Sequence, residues 1–521
     1  MIDRAGTVLE VPGAGPRVLW LTAAMNLAAL IDGHPDDAVA LIARGRRTTY
    51  GTIREQVAHL RGGLIERGVE PGDRVAILAA NSWYFVVAYL ATLGAGAVAV
   101  PLNPASPARE LQRELASVGP KVVFSGPSAT AGVEALDRAA VPSLELCVAP
   151  SPSPGLEVVT YEELLASPVA PLVEREPDDL AVLVFTSGTA GAPKAAMLTH
   201  GSMRANLDQC QALPIRAQAP DDVVLGALPF FHIFGLNVVL GLTLLSGASV
   251  VLVERFEPHS TLELVVQHGV TVISGAPPMW AAWAALPGTR PGDLASVRLA
   301  ASGAAPLDVQ VRRTIIERFG IPLVEGYGLT EASPVVTTGT GLDAPEGSIG
   351  VPVPGVEVRL VDLDGQDALV GDPGEIWVRG PNVFAGYWED EAATQQTLDE
   401  EGWLHTGDVA VVDDDGYLYL VDRAKDLIIV SGFNVYPAEV EELLCEHPEI
   451  DASAVVGVPH PHSGEAVKAY VVPAEGSHLD EHAVIAHCEA HLARYKCPQA
   501  VVFVDELPAT ATGNIIRAAL R

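Results

Sequence analysis

The sequence predicts an α/β protein with a large N-terminal domain of helix-covered parallel sheets plus an antiparallel β subdomain, and a small α+β C-terminal domain. Short apolar runs such as "RVAILAA" (74–80) alternate with helical segments over roughly 300 residues, and this alternation is typical of parallel sheets covered by helices on both faces. From about Gly350 the pattern changes to short alternating strands with turns, as in "VEVRLVDLDG" and "GEIWVRGP", which indicates antiparallel sheet. A chain of 521 residues is also too long for one hydrophobic core.

The individual elements follow from local signals. The run "NSWYFVVAYLATLGAG" starts on Asn and Ser and stops on Gly, as a helix does, and "AVAVPLNP" after it is a buried strand. The same alternation recurs in "LAVLVFTSGT", "SVVLV", "VTVISG" and "SVRLAASGAAP". After "DRAKD" (422–426) we predict a helix at Pro437–Glu446 and the strands "ASAVVGV" and "EAVKAYVVP". We therefore divide the chain into residues 1–423 and 424–521.

Charge and cysteine content exclude several classes of function. With 32 basic and 65 acidic side chains the formal net charge is −33, whereas nucleic acids and anionic membranes require a basic surface. The five cysteines are scattered, which argues against disulfides or a zinc site and favours the cytoplasm. The uncharged stretches 75–108 and 223–253 are interrupted by Gly, Pro and Asn, so we expect strand–helix–strand units and no membrane span.

The segment "FTSGTAGAPKAAMLTH" (185–200) has the composition of a phosphate-binding loop. Its glycines let backbone N–H groups converge on an anion, its hydroxyls add donors, and Lys194 adds a positive charge. It is not the G-x-x-x-x-G-K-[ST] loop of nucleoside triphosphatases, because Pro193 precedes the lysine and Ala195 follows it.

This segment, with five others in order along the chain, resembles the adenylate-forming superfamily of acyl-CoA synthetases, luciferases and peptide-synthetase adenylation domains. The five others are "PFFHIFG" (229–235), "SGAAPL" (302–307), "YGLTE" (327–331), "GWLHTGDVA" (402–410) and "DRAKDLIIVSGFNVYPAEVE" (422–441). The resemblance covers nearly the whole chain. It implies a small C-terminal domain that is mobile, swinging about Lys425.

The resemblance implies roles for particular residues. Tyr327 would stack on adenine, Thr330 would bind the α-phosphate, Asp408 would accept both ribose hydroxyls and Glu331 would hold Mg²⁺. The complete nucleotide-binding set that it implies is Thr186, Ser187, Gly188, Thr189, Lys194, Gly303, Ala304, Ala305, Glu325, Gly326, Tyr327, Gly328, Thr330, Asp408, Leu420 and Arg423.

The remaining site residues belong to the acyl group and to coenzyme A. His232 would act as a gate beside an acyl pocket formed by His232, Ile233, Gly235, Ser302, Gly303 and Gly326. The small residues among them leave room for a bulky hydrophobic acid. Ser431, Gly432 and Phe433 would approach coenzyme A, and we name His232, Lys425, Gly432 and Asn514 as the catalytic positions.

The family reaction has two halves. A carboxylate first attacks the α-phosphate of ATP, giving acyl-adenylate and pyrophosphate. The small domain then rotates, and a thiol attacks the acyl-adenylate.

The C-terminal tail departs from the family pattern. The family reads like P-K-T-x-x-G-K-I-x-R, and its second lysine bridges the carboxylate and the α-phosphate during adenylation. Here the stretch is "PATATGNIIR" (508–517), so Ala509 replaces the first lysine and Asn514 replaces the catalytic one. An amide is shorter than lysine and carries no charge. In the phosphate loop, Ala190 and Ala195 replace a threonine and a glycine.

The leading hypothesis is an acyl-CoA ligase that acts mainly in the second half-reaction, in a natural-product pathway. Its substrates would be coenzyme A and an acyl-AMP, which a separate adenylating ligase supplies, and it would use ATP and Mg²⁺ only if adenylation is retained. One alternative is a complete ATP-dependent acyl-CoA synthetase of fatty or aryl acids, in which Asn514 is tolerated or engineered. Another is a catalytically dead protein that binds acyl-AMP or acyl-CoA. "PFFHIFGLN" has no acidic partner for an amino group, against a peptide-synthetase domain, and nothing supports a luciferase-like oxygenase.

Overall fold

The computed structural model describes residues 25–151, 158–186, 194–362, 364–423, 426, 428–430, 433–460, 464–492, 494–509 and 515–520, with the backbone alone at 422, 423, 429, 433, 434, 464, 495 and 518. Two large, mainly parallel sheets form the N-terminal part of the chain. Their buried strands are continuous apolar runs, as strands covered on both faces require. The predicted α/β class is confirmed.

The larger of these sheets has nine strands, and six adjacent ones are parallel. In spatial order the strands are Val351–Pro352, Val335–Thr338, Leu323–Gly328, Leu299–Ser302, Val272–Gly275, Val223–Gly226, Ser249–Leu252, Val39–Ala43 and Arg46–Thr49. The first two and the last run antiparallel to their neighbours.

The second large sheet has seven strands, of which only the last is antiparallel to its neighbour. In spatial order they are Val159–Thr160, Leu146–Ala149, Val122–Ser125, Arg74–Leu78, Val98–Leu102, Leu180–Thr186 and Lys194–Thr199.

Two smaller sheets complete the architecture. A four-stranded antiparallel sheet is the predicted β subdomain, with strands Glu357–Val361, Gly374–Arg379, Leu404–Val412 and Leu418–Arg423. The C-terminal sheet has the order Phe433–Val435, Ile428–Val430, Gly464–Pro473 and Ile450–His460, and Ala500–Phe503 pairs in parallel with Gly464–Pro473. Its two apolar clusters share no buried residue with those of the large sheets. The boundary at residues 423 and 424 stays a prediction.

Helices cover the sheets, and several begin on the residues that the sequence indicates. Ser82 caps the helix Trp83–Gly94 by accepting a hydrogen bond from the N–H of Phe85. The α-helices are Tyr50–Glu66, Trp83–Gly94, Ala108–Val118, Thr130–Glu134, Tyr161–Leu165, His200–Gln211, Leu242–Ser246, Pro258–His268, Pro277–Ala285, Val309–Phe319, Glu391–Thr397, Pro437–Cys445 and Glu481–His491. Short 3₁₀ helices lie at Leu27–Ile31, Arg138–Ala140, Pro291–Leu294, Thr330–Ala332, Arg494–Lys496 and Arg517–Ala519.

One helix has an unexpected form. The stretch 223–253 forms the predicted strand–helix–strand unit, but the helix that follows the first strand is a π-helix at Phe234–Gly241. Such helices are rare and occur often at functional sites. Across the described part of the chain, we find no helix both long and apolar enough to cross a bilayer.

The last residues of the chain are tied to the C-terminal sheet. Arg517 forms ion pairs with Glu441, at 2.7 Å, and with Asp426, at 3.6 Å. Ala509 and Ile515 pair in an antiparallel bridge, and the residues between them lie outside the described part of the chain. Arg517, one of the basic residues near the C-terminus of this acidic protein, is therefore paired with two nearby carboxylates.

Candidate active site

Tyr327 and Asp408, two predicted nucleotide-binding residues, lie in direct contact. Tyr327 is near the end of the strand Leu323–Gly328 and is only 8% exposed. Its hydroxyl donates a hydrogen bond of 2.8 Å to Asp408 Oδ2, which comes from the four-stranded sheet. Strands of two different sheets thus place an aromatic ring and a carboxylate at one point, the pair that the resemblance assigns to adenine and ribose.

The turn after Tyr327 carries the predicted phosphate and magnesium residues. Thr330 and Glu331 open the 3₁₀ helix Thr330–Ala332. Tyr387 donates a hydrogen bond of 2.7 Å to Glu331 Oε1, and the backbone N–H of Phe384 donates to the carbonyl of Glu331. Burial, together with this carboxylate, raises the pKa of Tyr387 far above its ordinary value, so the phenol keeps its proton.

Glu331 is the carboxylate that the resemblance assigns to magnesium. Among the described residues no three His, Cys, Asp or Glu side chains are grouped as metal ligands. Mg²⁺ is commonly held by one or two carboxylates plus substrate phosphates. The single carboxylate of Glu331 fits a site of that kind.

Thr186 and Lys194 flank the phosphate loop at matching positions of a hairpin. The two residues are opposite one another in the strands Leu180–Thr186 and Lys194–Thr199. The Nζ of Lys194 lies 5.1 Å from the centre of the Tyr387 ring, a cation–π contact. The ammonium, the phenol and the Glu331 carboxylate thus form one cluster. Ser187, Gly188 and Thr189, as well as Ala190, lie outside the described residues.

The loop after Ser302 is held in a strained form. Ala304 has a φ of +74°, a left-handed conformation that a residue with a side chain rarely adopts. The carboxylate of Glu325 accepts a hydrogen bond from the backbone of Leu307, and burial raises its pKa. The sequence predicts Glu325 as a nucleotide contact. In the structure its carboxylate also lies 4.0 Å from Arg312 Nε, and its bond to Leu307 connects it to the loop that carries Gly303, Ala304 and Ala305.

Two buried polar atoms in the predicted acyl pocket lack partners. His232 Nε2 and Ser302 Oγ have no hydrogen-bond partner among the described residues. Burial lowers the pKa of His232, which keeps the imidazole neutral, and Ile233 beside it is buried. Because buried polar groups are nearly always satisfied, these two atoms are places where a bound molecule would supply the missing partner.

Close packing against neighbouring backbone explains two glycines of the predicted acyl pocket. A β-carbon on Gly235 would lie 2.2 Å from the carbonyl oxygen of Pro229, and one on Gly326 would lie 2.9 Å from that of Thr337. The close approach of the backbone therefore requires glycine at both positions. The sequence analysis explained the small residues by room for a bulky acid and did not consider this packing. At Gly303 a β-carbon would lie 3.2 Å from the ring of Phe234, so this ring occupies the space.

The other predicted residues are only partly described. Gly328 lies beside the backbone of Pro334, and Leu420 is half-buried opposite Ala410. Arg423 pairs through its backbone with Asp408, but its side chain is outside the described residues, as is that of Phe433. Lys425, Ser431, Gly432 and Asn514 lie outside them entirely.

Sequence reasoning missed Tyr387, Phe234 and Asn237. Tyr387 lies in a segment that pairs with the strand Lys194–Thr199, where it bridges to Ala196. The only local signal for it is the aromatic pair "YW" after Gly386. Phe234 and Asn237 lie in an apolar run that reads as an ordinary buried helix.

Comparison with known proteins gives consistent matches over almost the whole chain. The sequence profile described as AMP-binding enzyme matches residues 27–388, and that of the AMP-binding enzyme C-terminal domain matches residues 439–514. The chain is 41% identical over 490 residues to a feruloyl-CoA synthase of Amycolatopsis sp, covering 93% of this chain and 95% of that protein. It is 37% identical over 522 residues to a long-chain-fatty-acid–CoA ligase of Yersinia pestis, covering 93% and 91%. The structure of ATP-bound MatB from Rhodopseudomonas palustris superimposes with a TM-score of 0.87 at 34% identity, covering 96% of this chain and 98% of that one.

Proposed function

Because this chain belongs to the AMP-binding enzyme family, as an acid–thiol ligase of the acyl-CoA synthetase kind, we propose that it acts mainly in thioester formation. It would transfer the acyl group of an acyl-adenylate to coenzyme A and make that adenylate from ATP only weakly. The observation that carries the proposal is Asn514, at the position that the resemblance aligns with the catalytic lysine of the family.

The expected loss of adenylation rate can be estimated from the lysine ammonium that Asn514 lacks. Removing one transition-state hydrogen-bond donor costs about 10²- to 10³-fold in rate. An asparagine side chain is too short and too neutral to replace a lysine that bridges two anionic groups. Ala190 and Ala195 alter the phosphate loop in the same region. Adenylation is the half-reaction that depends on these positions.

Contacts among the described residues that are expected to hold an acyl-adenylate support the proposal. The contact between Tyr327 and Asp408 supports a site for adenine and ribose, and the unpartnered atoms of His232 and Ser302 support a site for the acyl group. Sulfur would attack the acyl carbonyl, forming the C–S bond as the bond to the AMP oxygen breaks. AMP leaves as an anion, and the thiol proton passes to solvent.

We propose that the chain divides at residues 423 and 424 and that the small domain turns about Lys425 between the two half-reactions. Ser431, Gly432 and Phe433 would then approach coenzyme A. We place the enzyme in the cytoplasm, with a separate ligase supplying the acyl-adenylate. The five cysteines are all free thiols, which fits a reducing compartment.

For the acid we propose a hydrophobic aryl acid such as ferulic acid. The 41% identity to a feruloyl-CoA synthase supports this class. So does the neutral His232 beside the ring of Phe231, at a centroid distance of 4.7 Å, because this environment favours an aromatic body over a charged one.

A complete ATP-dependent synthetase is the second candidate. The cluster of Lys194, Tyr387 and Glu331 favours it, because a protein without adenylation would have no use for a charged cluster at the pyrophosphate end. ATP and Mg²⁺ would be substrates and activator in that case.

The deciding experiment compares two reactions of the wild-type protein. Pyrophosphate release is measured with ATP, Mg²⁺ and ferulic acid, and feruloyl-CoA formation is measured from synthetic feruloyl-AMP and coenzyme A. We expect rapid thioester formation and little pyrophosphate. Rapid pyrophosphate release would establish the complete synthetase, and binding of feruloyl-AMP without thioester formation would establish a dead binding protein.

Substitution at position 514 tests the cause. Asn514→Lys should raise pyrophosphate release by about 10²-fold, with Ala190→Thr added if the loop hydroxyl is also needed. Asn514→Gln is the matched control, because it lengthens the amide without adding charge, and it should change little. Equal gains in the Lys and Gln variants would show that length and not charge is missing.

A further inference from the structure

The π-helix Phe234–Gly241 begins directly after His232 and Ile233, the residues of the proposed acyl gate. The carbonyl of Asn237 accepts its hydrogen bond from the N–H of Leu242, five residues on, which is the defining π-helical pattern. This widened turn is a feature of the acyl side of the site.

The side chain of Asn237 reaches from this helix to the nucleotide side. It is 2% exposed, and its Nδ2 donates to the carbonyl oxygens of Ser333, at 2.7 Å, and Met203, at 3.1 Å. Ser333 ends the turn that carries Thr330 and Glu331. One hydrogen of this buried amide therefore joins the π-helix to the turn that ends at Ser333, here called the phosphate turn, and the other joins it to Met203 in the helix His200–Gln211.

Other buried amides hold the same turn from different directions. Asn382 donates to the carbonyl of Ala332 at 2.8 Å, and Asn206 both accepts from and donates to the backbone of Val335, at 3.0 and 2.8 Å. Asn206 belongs to the helix His200–Gln211. Asn382 follows the strand Gly374–Arg379, which is part of the four-stranded sheet. Of these three amides, only that of Asn237 comes from the element that follows His232.

The start of the π-helix touches the opposite wall of the nucleotide site. The ring of Phe234 lies against Gly303, in the loop that the resemblance places on one face of adenine. The same helix thus contacts the phosphate turn through Asn237 and the adenine loop through Phe234. A shift of this helix would move both walls relative to the acyl pocket.

We propose that Asn237 is a positioning residue that couples the acyl pocket to the nucleotide site. The proposal rests on the proposed function, in which His232 lies beside the acyl group and Thr330 and Glu331 lie beside the phosphate. Asn237 fixes the distance between the acyl pocket and the phosphate turn. The acyl group and the AMP moiety of one acyl-adenylate can then occupy their two sites at the same time. Without Asn237, joining the acyl group to AMP should increase the binding affinity less than it does in the wild type.

The experiment measures how much the acyl group adds to nucleotide binding. Calorimetry gives the Kd of AMP and the Kd of 5′-O-(N-feruloylsulfamoyl)adenosine, a stable analogue of feruloyl-AMP, and their ratio is the acyl advantage. We expect Asn237→Leu to reduce this ratio by about 10-fold or more, since the carbonyl of Ser333, in one of the two coupled elements, loses its donor. The affinity for AMP alone should change less.

Asn26 offers a control whose amide donates to neither of the coupled elements. It is 6% exposed and donates to the carbonyl oxygens of Leu93, at 2.7 Å, and Val173, at 2.9 Å. Asn26→Leu therefore removes two hydrogen bonds to backbone carbonyls from a buried amide, together with the bond that Asn26 Oδ1 accepts from Ala28, and it should leave the acyl advantage unchanged. The pair Asn237→Ser and Asn26→Ser, which keeps a small hydroxyl donor, gives the same comparison if either leucine variant does not fold.

Three outcomes would overturn the inference: an unchanged ratio in the Asn237 variants, an equal fall in the Asn26 variants, or a wild type that binds the acylated analogue no more tightly than AMP. Rapid pyrophosphate release by the wild type would overturn the proposed half-reaction alone, because the ratio is measured at equilibrium without chemistry. The two failures are therefore distinguishable.

Discussion

The hydroxyl of Tyr387 donates a hydrogen bond of 2.7 Å to the carboxylate of Glu331, although 56 residues separate them in the chain. The ring of the same tyrosine lies below the ammonium of Lys194. One side chain thus sets the distance between a carboxylate and a cation at the end of the site where phosphates would lie. Its hydroxyl and its ring can be tested separately.

Tyr387→Phe should weaken adenylation while leaving thioester formation intact. The variant keeps the ring below Lys194 but removes the donor to Glu331, and a hydrogen bond to a charged group contributes about 1.5–3 kcal/mol. In the Asn514→Lys background, where adenylation is measurable, we expect pyrophosphate release to fall by about 10-fold or more. Feruloyl-CoA formation from feruloyl-AMP should be unchanged.

Tyr419→Phe is the control for that experiment. Its hydroxyl donates to Asp413 Oδ2 at 3.0 Å, so the same kind of hydrogen bond is lost at a hairpin of the four-stranded sheet. A comparable fall in pyrophosphate release in both variants would mean that Tyr387 contributes only to folding.

Asp408→Ala should weaken binding of acyl-adenylate. The carboxylate is the proposed acceptor for both ribose hydroxyls, and its removal leaves polar groups of the ligand without a partner, a loss of about 1–3 kcal/mol. We expect the Kd of feruloylsulfamoyl adenosine to rise by about 10- to 100-fold in calorimetry. An unchanged Kd would refute the ribose assignment.

Tyr327→Phe separates the two members of that contact. It removes the hydroxyl that donates to Asp408 but keeps the ring that is expected to stack on adenine. We expect a smaller rise in Kd than for Asp408→Ala, measured with the same ligand.

Lys425→Pro tests the proposed hinge. Proline fixes φ near −65° and removes a backbone N–H, so it restricts the residue expected to absorb the domain rotation. Feruloyl-CoA formation should fall far more than binding of feruloylsulfamoyl adenosine. Equal losses in the two measurements would show that Lys425 is not a hinge.

Glu114 makes the stability of the protein depend on pH in an unusual direction. It is 8% exposed, and its Oε2 has no hydrogen-bond partner in the described part of the chain. Burial, with Glu110 nearby, raises its pKa from 4.5 to about 7. The folded state therefore holds this proton more tightly than the unfolded state, so the contribution of Glu114 to stability falls as the pH rises between these two values.

Glu114→Gln should accordingly stabilise the protein at pH 8 and have little effect below pH 4.5. The pKa shift corresponds to an upper limit of about 3 kcal/mol in the free energy of unfolding. Urea denaturation at both pH values measures the difference, with Glu317→Gln as an exposed helical control. A constant difference between the Gln variant and wild type at all pH values would contradict the assignment.

Local sequence signals predicted the sheets well because buried parallel strands are continuous apolar runs. Arg74–Leu78 and Leu180–Thr186 lie within the expected segments. The helix after Val223–Gly226 was predicted, but its π form was not, because the side chains of a π-helix do not differ in kind from those of a buried α-helix.

Contacts between distant segments explain what the sequence did not reveal. The bond between Asn237 and Ser333 spans 96 residues, and no periodicity reports such a pairing. Gly235 seemed suited to an open pocket, whereas the nearby carbonyl of Pro229 decides its size. The motif residues could be predicted because the resemblance fixes their spacing, whereas the residues that contact them, such as Tyr387, belong to no motif.

The anchored tail makes the chemistry at position 514 easy to exchange during evolution. The ion pairs of Arg517 with Glu441 and Asp426 and the bridge between Ala509 and Ile515 are made by residues on either side of position 514. A substitution at position 514 leaves the partners of these contacts unchanged. Asparagine and lysine codons differ at a single base, so one nucleotide change exchanges the amide for the ammonium on which the proposed division of labour between two enzymes depends.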